Sequence, residues 1–235
     1  MQYVPPSALR GHDLEPLLAK HGLTSAWLAT HDFDSHSTAN VARVTYGETV
    51  AKVPFHYRSA RTTLPQLHAW IVGLVAEAKR RQAERGAPIA SITHGPSLLL
   101  LGATGVGKTY EAYGAMRELS VTGVYCQWAV TTAADLYAAL RPRHGIDSEA
   151  EFRTYRDARL LLVDDLGADR KPTEFTEEIN FRLINHRYEH YLPTLITTNV
   201  GPKELASRLG DRVASRLAEM CERIAIKGND RRRAA

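Results

Sequence analysis

Three short stretches carry residue types and spacings that can do chemistry. The first is Gly102-Ala103-Thr104-Gly105-Val106-Gly107-Lys108-Thr109. Its form, Gly-x-x-x-x-Gly-Lys-Thr, is that of a phosphate-binding loop. Glycines at 102, 105 and 107 let the backbone turn tightly and aim N–H groups at phosphate oxygens. A helix opening at Lys108 presents its positive end to the same anion. The Lys108 ammonium can reach the β- and γ-phosphates, and the Thr109 hydroxyl can ligate Mg²⁺.

The second stretch is Leu160-Leu-Leu-Val-Asp164-Asp165-Leu-Gly167. A short apolar run ending in two carboxylates fits a buried parallel strand whose ligand-facing end is its C-terminus. Asp164 suits Mg²⁺, held directly or through water, and Asp165 is a candidate to polarise an attacking water. The third is Leu192-Pro-Thr-Leu-Ile-Thr-Thr198-Asn199. It is a second buried strand, where Asn199, with Thr198 beside it, can orient water or contact a γ-phosphate. His186 and His190 have an i, i+4 spacing, but Arg187 stands where a zinc protease needs Glu, so both read as polar-face histidines.

These groups need a scaffold, and the hydrophobic periodicity supplies one. Leu98-Leu-Leu-Leu101 is the strand before the loop, and a helix runs from the loop to about Leu119. Gly123 to Val130 is expected as the second strand. Thr131 or Thr132 caps the helix bearing Leu136, Tyr137 and Leu140, and Ser148 caps the next, with Glu151 completing a capping box. Thr173 or Thr176 caps a helix over Glu177 to about Tyr191. Beyond it, Pro202 opens a short helix to Leu209, Asp211 caps a helix to Cys221, and Arg223-Ile-Ala-Ile-Lys227 is a last strand. Upstream, Leu64-Pro65 opens a helix to about Arg85, with Leu67, Trp70, Ile71, Leu74, Val75 and Ala78 on one face. Ser7 to Lys20 reads as a short helix, His31 to Asn40 as a loop, and Val41-Ala-Arg-Val-Thr-Tyr46 as a strand ending at Gly47.

The chain of 235 residues is 44 % hydrophobic, enough for a sizeable core. No apolar run approaches the length of a membrane span, and two cysteines are too few for a disulfide framework or zinc ribbon. Cytoplasmic placement is the expectation. From Pro202 onward there are nine Lys/Arg against five Asp/Glu, a surplus equal to the whole net charge of +4. A basic C-terminal stretch suits phosphate or nucleic acid.

The ensemble resembles the DnaC/IstB branch of AAA+ ATPases, the helicase loaders and transposition helpers. The likeness runs from about Val53 to Arg232. Its carriers are Val53-Pro-Phe-His-Tyr-Arg-Ser-Ala-Arg61, the Gly102–Thr109 loop and Leu161-Leu-Val-Asp-Asp-Leu-Gly167. Ile184-Asn-His-Arg-Tyr through Asn199, Leu209-Gly-Asp-Arg-Val-Ala-Ser-Arg-Leu through Cys221, and the Gly-Asn-Asp-Arg at 228–231 complete them. Two departures stand out: there is no N-terminal cysteine cluster, and Asp165 stands where most AAA+ proteins have Glu.

The resemblance implies an α/β fold. This would be an AAA+ P-loop NTPase with a five-stranded parallel sheet flanked by helices, no separate lid domain, and a small N-terminal region. It implies residues 1–60 as a partner-docking region and 61–235 as the ATPase domain. It implies an Mg²⁺-dependent, DNA-stimulated ATPase with nucleotide on residues 102–109 and Tyr110. Thr109 and Asp164 would hold Mg²⁺, and Lys108, Asp165 and Asn199 would act on the γ-phosphate and water. Arg216, with Arg212 as second choice, resembles the arginine finger inserted into a neighbouring subunit's site, so a homo-oligomeric ring or spiral follows. Arg231 and Arg232 are further candidates for nucleotide or DNA. Single-stranded DNA is the implied ligand of the 141–159 segment, where Arg141, Arg143, Arg153, Arg156 and Arg159 interleave with Phe152 and Tyr155. The implied role is delivery of a hexameric replicative helicase. The alternatives are a transposition helper acting on duplex DNA with a transposase, and a scaffold that binds ATP but scarcely turns it over.

Overall fold

The computed structural model describes residues 14–20, 22–29, 34–141, 144–145, 147–168 and 172–230. They fall into two compact units, one drawn from Met1–Thr93 and Tyr110–Gln127, the other from His94–Thr109 and Trp128–Ala235.

The second unit is built on a five-stranded parallel sheet. Its strands are β1 (Ser97–Leu101), β2 (Trp128–Thr132), β3 (Leu160–Asp164), β4 (Thr194–Thr198) and β5 (Cys221–Ala225), in the order β2-β3-β4-β1-β5. Every pairing is parallel, with Leu99 opposite Ile196 and Leu162 opposite Leu195. β1, β3 and β4 are buried at every position, which accounts for their unbroken apolar runs. The unit's helices are α6 (Ala133–Leu140), α7 (Ser148–Arg156), α8 (Glu174–Glu189), α9 (Leu205–Leu209) and α10 (Asp211–Met220). Leu136, Phe152, Leu183, Leu209 and Leu217 from these helices share one core with Leu99, Leu161 and Ile196. The chain after β4 makes α9 and α10 and returns as β5 beside β1, so among the described residues no separate lid intervenes.

Caps and edges differ from expectation in instructive ways. Thr132 caps α6 through the Asp135 N–H. Asp147, not Ser148, caps α7, because its carboxylate accepts from both Glu149 N and Ala150 N. Thr173 and Thr176 form one reciprocal box at the start of α8. The expected second strand splits. Tyr125 N donates to Ala90 O and Ile92 N to Tyr125 O, so Tyr125 pairs within the first unit and only Trp128 onward joins the sheet. β5 starts at Cys221, directly from α10, where burial pushes the thiol up to about 12 and leaves it an apolar filler.

Arg187 on α8 ties this unit together. It is fully buried and donates to five oxygens: Thr194 Oγ1 (2.7 Å), Tyr155 O (3.1 Å), Arg156 O (3.1 Å), Ala158 O (2.7 Å) and Pro193 O (2.9 Å). One guanidinium thus satisfies carbonyls at the end of α7 and the entry to β4, groups that α7 itself leaves unpaired. Beside it, His186 Nε2 lies 3.0 Å from Asp157 and its ring stacks 4.0 Å from that of His190.

The first unit contains α1 (Glu15–Ala19), α2 (Ser25–Ala29), α3 (Thr38–Val50), a 3₁₀ turn at Phe55–Tyr57 and α4 (Pro65–Arg85). It also holds the greater part of α5 (Lys108–Ser120), whose first two residues count with the sheet unit. The strand expected at Val41–Tyr46 is helical. Ser37 caps α3 by accepting from Asn40 N, and Val41, Ala42, Val44, Thr45 and Tyr46 are all buried. Burial around the whole helix overrides the β-propensity of its branched residues. The part of the expected helix at Ser7–Lys20 that is described is α1, and residues 1–13 lie outside the described residues, as do 31–33 of the loop expected at His31–Asn40, whose last three residues open α3. α4 matches its periodicity and ends on Gly86, which takes the left-handed conformation (φ 61°).

Residues 57–64 are strapped along α5. Glu111, buried, accepts from Thr62 Oγ1 (2.9 Å), Thr63 N (2.8 Å) and Thr63 Oγ1 (2.7 Å). Tyr57 stacks on Tyr113 at 4.9 Å, and Arg117 donates to Ala60 O. A Cβ on Gly114 would lie 2.3 Å from the Arg61 carbonyl carbon, so only glycine admits the strap.

Replacing Arg187 by Leu strands several buried acceptors at once and is expected to cost at least about 3 kcal/mol. Urea unfolding should show a lower midpoint at unchanged slope. Arg187→Lys should recover only part of the loss, since an ammonium lacks the five-donor fork. Equal stability of all three proteins would refute this reading of the residue.

Candidate nucleotide-binding site

Parallel strands place their C-terminal ends on one edge, and the chemistry collects there. The loop leaves β1, Asp164 closes β3, and Asn199 follows β4. Gly102 is pinned between neighbours: its N–H donates to Thr198 O (3.3 Å), and a Cβ on it would lie 2.5 Å from Ile226 O. Gly105 and Gly107 have φ of 84° and 102°, a region that side chains rarely adopt. Val106 is buried beneath the loop, while Ala103 and Thr104 are exposed. Lys108 is buried, and its Nζ donates to Gly102 O and Ala103 O, both at 3.0 Å. Its ammonium therefore sits over the loop it serves.

Thr109 and Asp164 meet directly. Thr109 Oγ1 lies 3.1 Å from each carboxylate oxygen. Two oxygens bound to Mg²⁺ at about 2.1 Å in adjacent octahedral positions stand about 3.0 Å apart. The pair, both hard oxygen donors, therefore fits that ion. Thr197 completes the arrangement, a residue that the strand-end reading passed over. Its hydroxyl donates to Asp164 Oδ1 (2.5 Å) and accepts from Asp165 N (2.9 Å). The next residue locks the same strand ends, with Thr198 Oγ1 on Leu166 O (2.6 Å) and Val200 N on Thr198 Oγ1 (3.1 Å).

Burial pushes the Asp164 carboxyl above its ordinary range. The Thr197 hydroxyl pulls it back, the neighbouring Asp165 charge pushes it up again, and Thr109 and Lys108 lower it. Asp165 itself is exposed and has φ 56°, a left-handed conformation rare for a residue with a side chain. The Thr197 hydroxyl on its N–H and the Ala168 N–H on its carbonyl (3.2 Å) hold this turn.

The structure thus brings Gly102–Thr109, Asp164 and Asp165 together, and sets Asn199, exposed, at the same edge. Tyr110 follows Thr109 directly, and its hydroxyl donates to Ser59 O at 3.3 Å. The contacts of Arg216 lie on α8 and α10. Its Cζ stands 4.4 Å over the Tyr188 ring, Nε donates to Asn185 Oδ1 (3.3 Å), and one terminal nitrogen is 3.6 Å from Glu219. Arg212, exposed, lies over Phe181 at 5.4 Å. On α7, Arg156 pairs with Asp157 at 2.7 Å and Arg153 lies 3.8 Å from Asp147. Tyr155 donates to Glu151 at 3.4 Å, and Arg141 is exposed. Arg143, Arg231 and Arg232 lie outside the described residues.

The model of the family described as IstB-like ATP binding protein matches residues 70–235, the phosphate loop and all five strands included. The chain belongs to the IstB-like ATP-binding family. Its relatives include the replicative helicase loader DnaI of Bacillus subtilis, 26 % identical over 55 % of this chain and 43 % of that protein. The replicative helicase loader DnaC of Escherichia coli K12 is 25 % identical over 52 % of this chain and 49 % of its own length. The chain therefore spans about half the length of the curated relatives it matches. A crystal structure of the DnaC helicase loader superposes with a TM-score of 0.50 at 30 % identity, covering 57 % of this chain and 80 % of that one. The fold of this IstB-like chain is that of the AAA+ P-loop ATPases. Among the described residues no helix is long and apolar enough to cross a membrane.

Thr197→Val keeps the shape of the side chain and removes its hydroxyl. The expected loss is about 1–2 kcal/mol at neutral pH. The hydroxyl favours ionised Asp164, so its removal raises that pKa further. The loss should then be full above the carboxyl's pKa and shrink as pH falls through it. Denaturation series at pH 7 and pH 4 measure this, and a pH-independent loss would contradict it.

Proposed function

We propose that this protein is an Mg²⁺-dependent ATPase that binds ATP and single-stranded DNA and delivers a hexameric replicative helicase. The observation that carries the ATP half is the Thr109–Asp164 pair beneath the loop, steadied by Thr197. Amides of residues 102–109 and the Lys108 ammonium bind the polyphosphate. Thr109 and Asp164 would hold Mg²⁺, which neutralises phosphate charge when bound. Asp165 accepts the proton of the attacking water, and Asn199 orients that water against the γ-phosphate. The strained turn at Asp165 supports its role, because strain held at a strand end aims a side chain.

Arg216 is the arginine finger in this proposal, entering the site of the next subunit in a homo-oligomeric ring or spiral. A guanidinium stabilises charge developing on the transferred phosphoryl group. Its support by Tyr188, Asn185 and Glu219 orders the side chain before a neighbour arrives. The loading role rests on the two relatives named replicative helicase loaders. Single-stranded DNA follows the α7 segment, with Arg141, Arg143, Arg153 and Arg156 on the backbone and Tyr155 beneath a base. Arg153 and Arg156 exchange their carboxylate partners for phosphates there.

A second reading, which the sequence resemblance implies, is a transposition helper that acts on duplex DNA with a transposase. Gel-shift competition separates the two: preference for single strands belongs to the loader, preference for duplex to the helper. Co-elution with the replicative helicase of the same cell in the presence of ATP is expected. Its absence in every nucleotide state would overturn the loader role.

Lys108→Ala is expected to abolish ATP binding. Arg216→Ala should keep it and lose DNA-stimulated turnover by about a hundredfold or more. Steady-state ATPase assays beside nucleotide titrations give both readouts. Unchanged turnover in Arg216→Ala would exclude it as the finger, and negligible turnover by the unmodified protein on any DNA would instead indicate a nucleotide-dependent scaffold.

A further inference from the structure

The segment after β5 runs back over the phosphate loop. Ile226 N donates to Leu101 O at 2.7 Å, and Ile226 O is the atom that leaves Gly102 no room for a side chain. Four residues on, Asp230 reaches the middle of the loop. A Cβ built on Gly105 would lie 1.9 Å from Asp230 Oδ1 and 2.3 Å from its Cγ. The carboxylate is therefore packed on the glycine's own Cα.

This placement is electrostatically unfavourable for an anion site. The loop offers backbone N–H groups and the Lys108 ammonium to a polyphosphate, yet one wall of it carries a carboxylate. Any phosphate chain cradled by residues 102–109 comes within a few ångströms of Gly105, and so of Asp230. At such separations like charges repel, and the repulsion rises with each charge the ligand adds.

We propose that Asp230 is a specificity-determining residue of the loop: its carboxylate disfavours nucleoside triphosphate relative to diphosphate. The inference rests on the nucleotide reading above. A triphosphate carries one more negative charge than a diphosphate, so it meets the larger penalty or must push the carboxylate off Gly105. Asp230 touches the loop and takes no part in bond breaking, so its effect is on affinity.

The test is calorimetric titration of ATP and of ADP into the full chain and into Asp230→Asn, with Asp230→Ser as a second variant. At low salt, Asp230→Asn should bind ATP about tenfold and ADP about threefold more tightly. Both gains should fade near 1 M salt, where the screening length falls to about 3 Å. Affinities unchanged or weakened in both variants would overturn the proposal, as would equal or salt-independent gains for the two nucleotides. Those results leave the nucleotide reading standing. Failure of the unmodified chain to bind either nucleotide, with Lys108→Ala indistinguishable from it, would instead overturn that reading and the inference with it.

Discussion

The site depends on one buried carboxylate held by hydroxyls from two other elements. Asp164 ends β3, Thr109 begins α5, and Thr197 lies in β4, and all three meet within 3.1 Å. Burial alone would favour the protonated acid, and the hydroxyls oppose this. Order in the sheet makes the meeting possible. With β4 between β3 and β1, the last residues of three strands share one edge, and the loop that leaves β1 returns its threonine to that edge. The apolar strands beneath do the mechanical work, since their complete burial fixes the register to which those side chains are attached.

Much of this was legible in the residues because it is local. The loop announces itself by glycine spacing followed by Lys-Thr, and the paired carboxylates by an apolar run that stops on them. Thr197 was not legible. Its hydroxyl matters only through the β3–β4 register, and in sequence it is one more branched residue in a strand. Asp230 is similar, lying 125 positions from the glycine it touches. α3 was misread because Val41, Val44 and Thr45 favour strands in isolation, while complete burial makes a helix of them. The second strand failed on its first half because Tyr125 found partners at Ala90 and Ile92, a pairing with no sequence signal.

Buried polar groups give each unit its specificity. In the sheet unit Arg187 gathers carbonyls from the end of α7 and the entry to β4. In the other unit Glu111 and Arg117 fasten residues 60–63 to α5. Glu118, one residue on, is also buried and is met by Lys20 (2.9 Å) and His68 (2.6 Å). Hydrophobic contact tolerates sliding, but a charged group with fixed donors does not. The helix that starts at Lys108 and Thr109 therefore has its later turns held by polar contacts as well as by packing.

The central claim is that Thr109 and Asp164 form a metal-assisted nucleotide site with the loop. Titration of ATP with and without Mg²⁺, in the unmodified chain and in Asp164→Asn, tests it most directly. The account predicts that Mg²⁺ strengthens ATP binding to the unmodified chain and that Asp164→Asn loses this gain while keeping metal-free binding through the loop. Equal enhancement by Mg²⁺ in both proteins, or none in either, would contradict it.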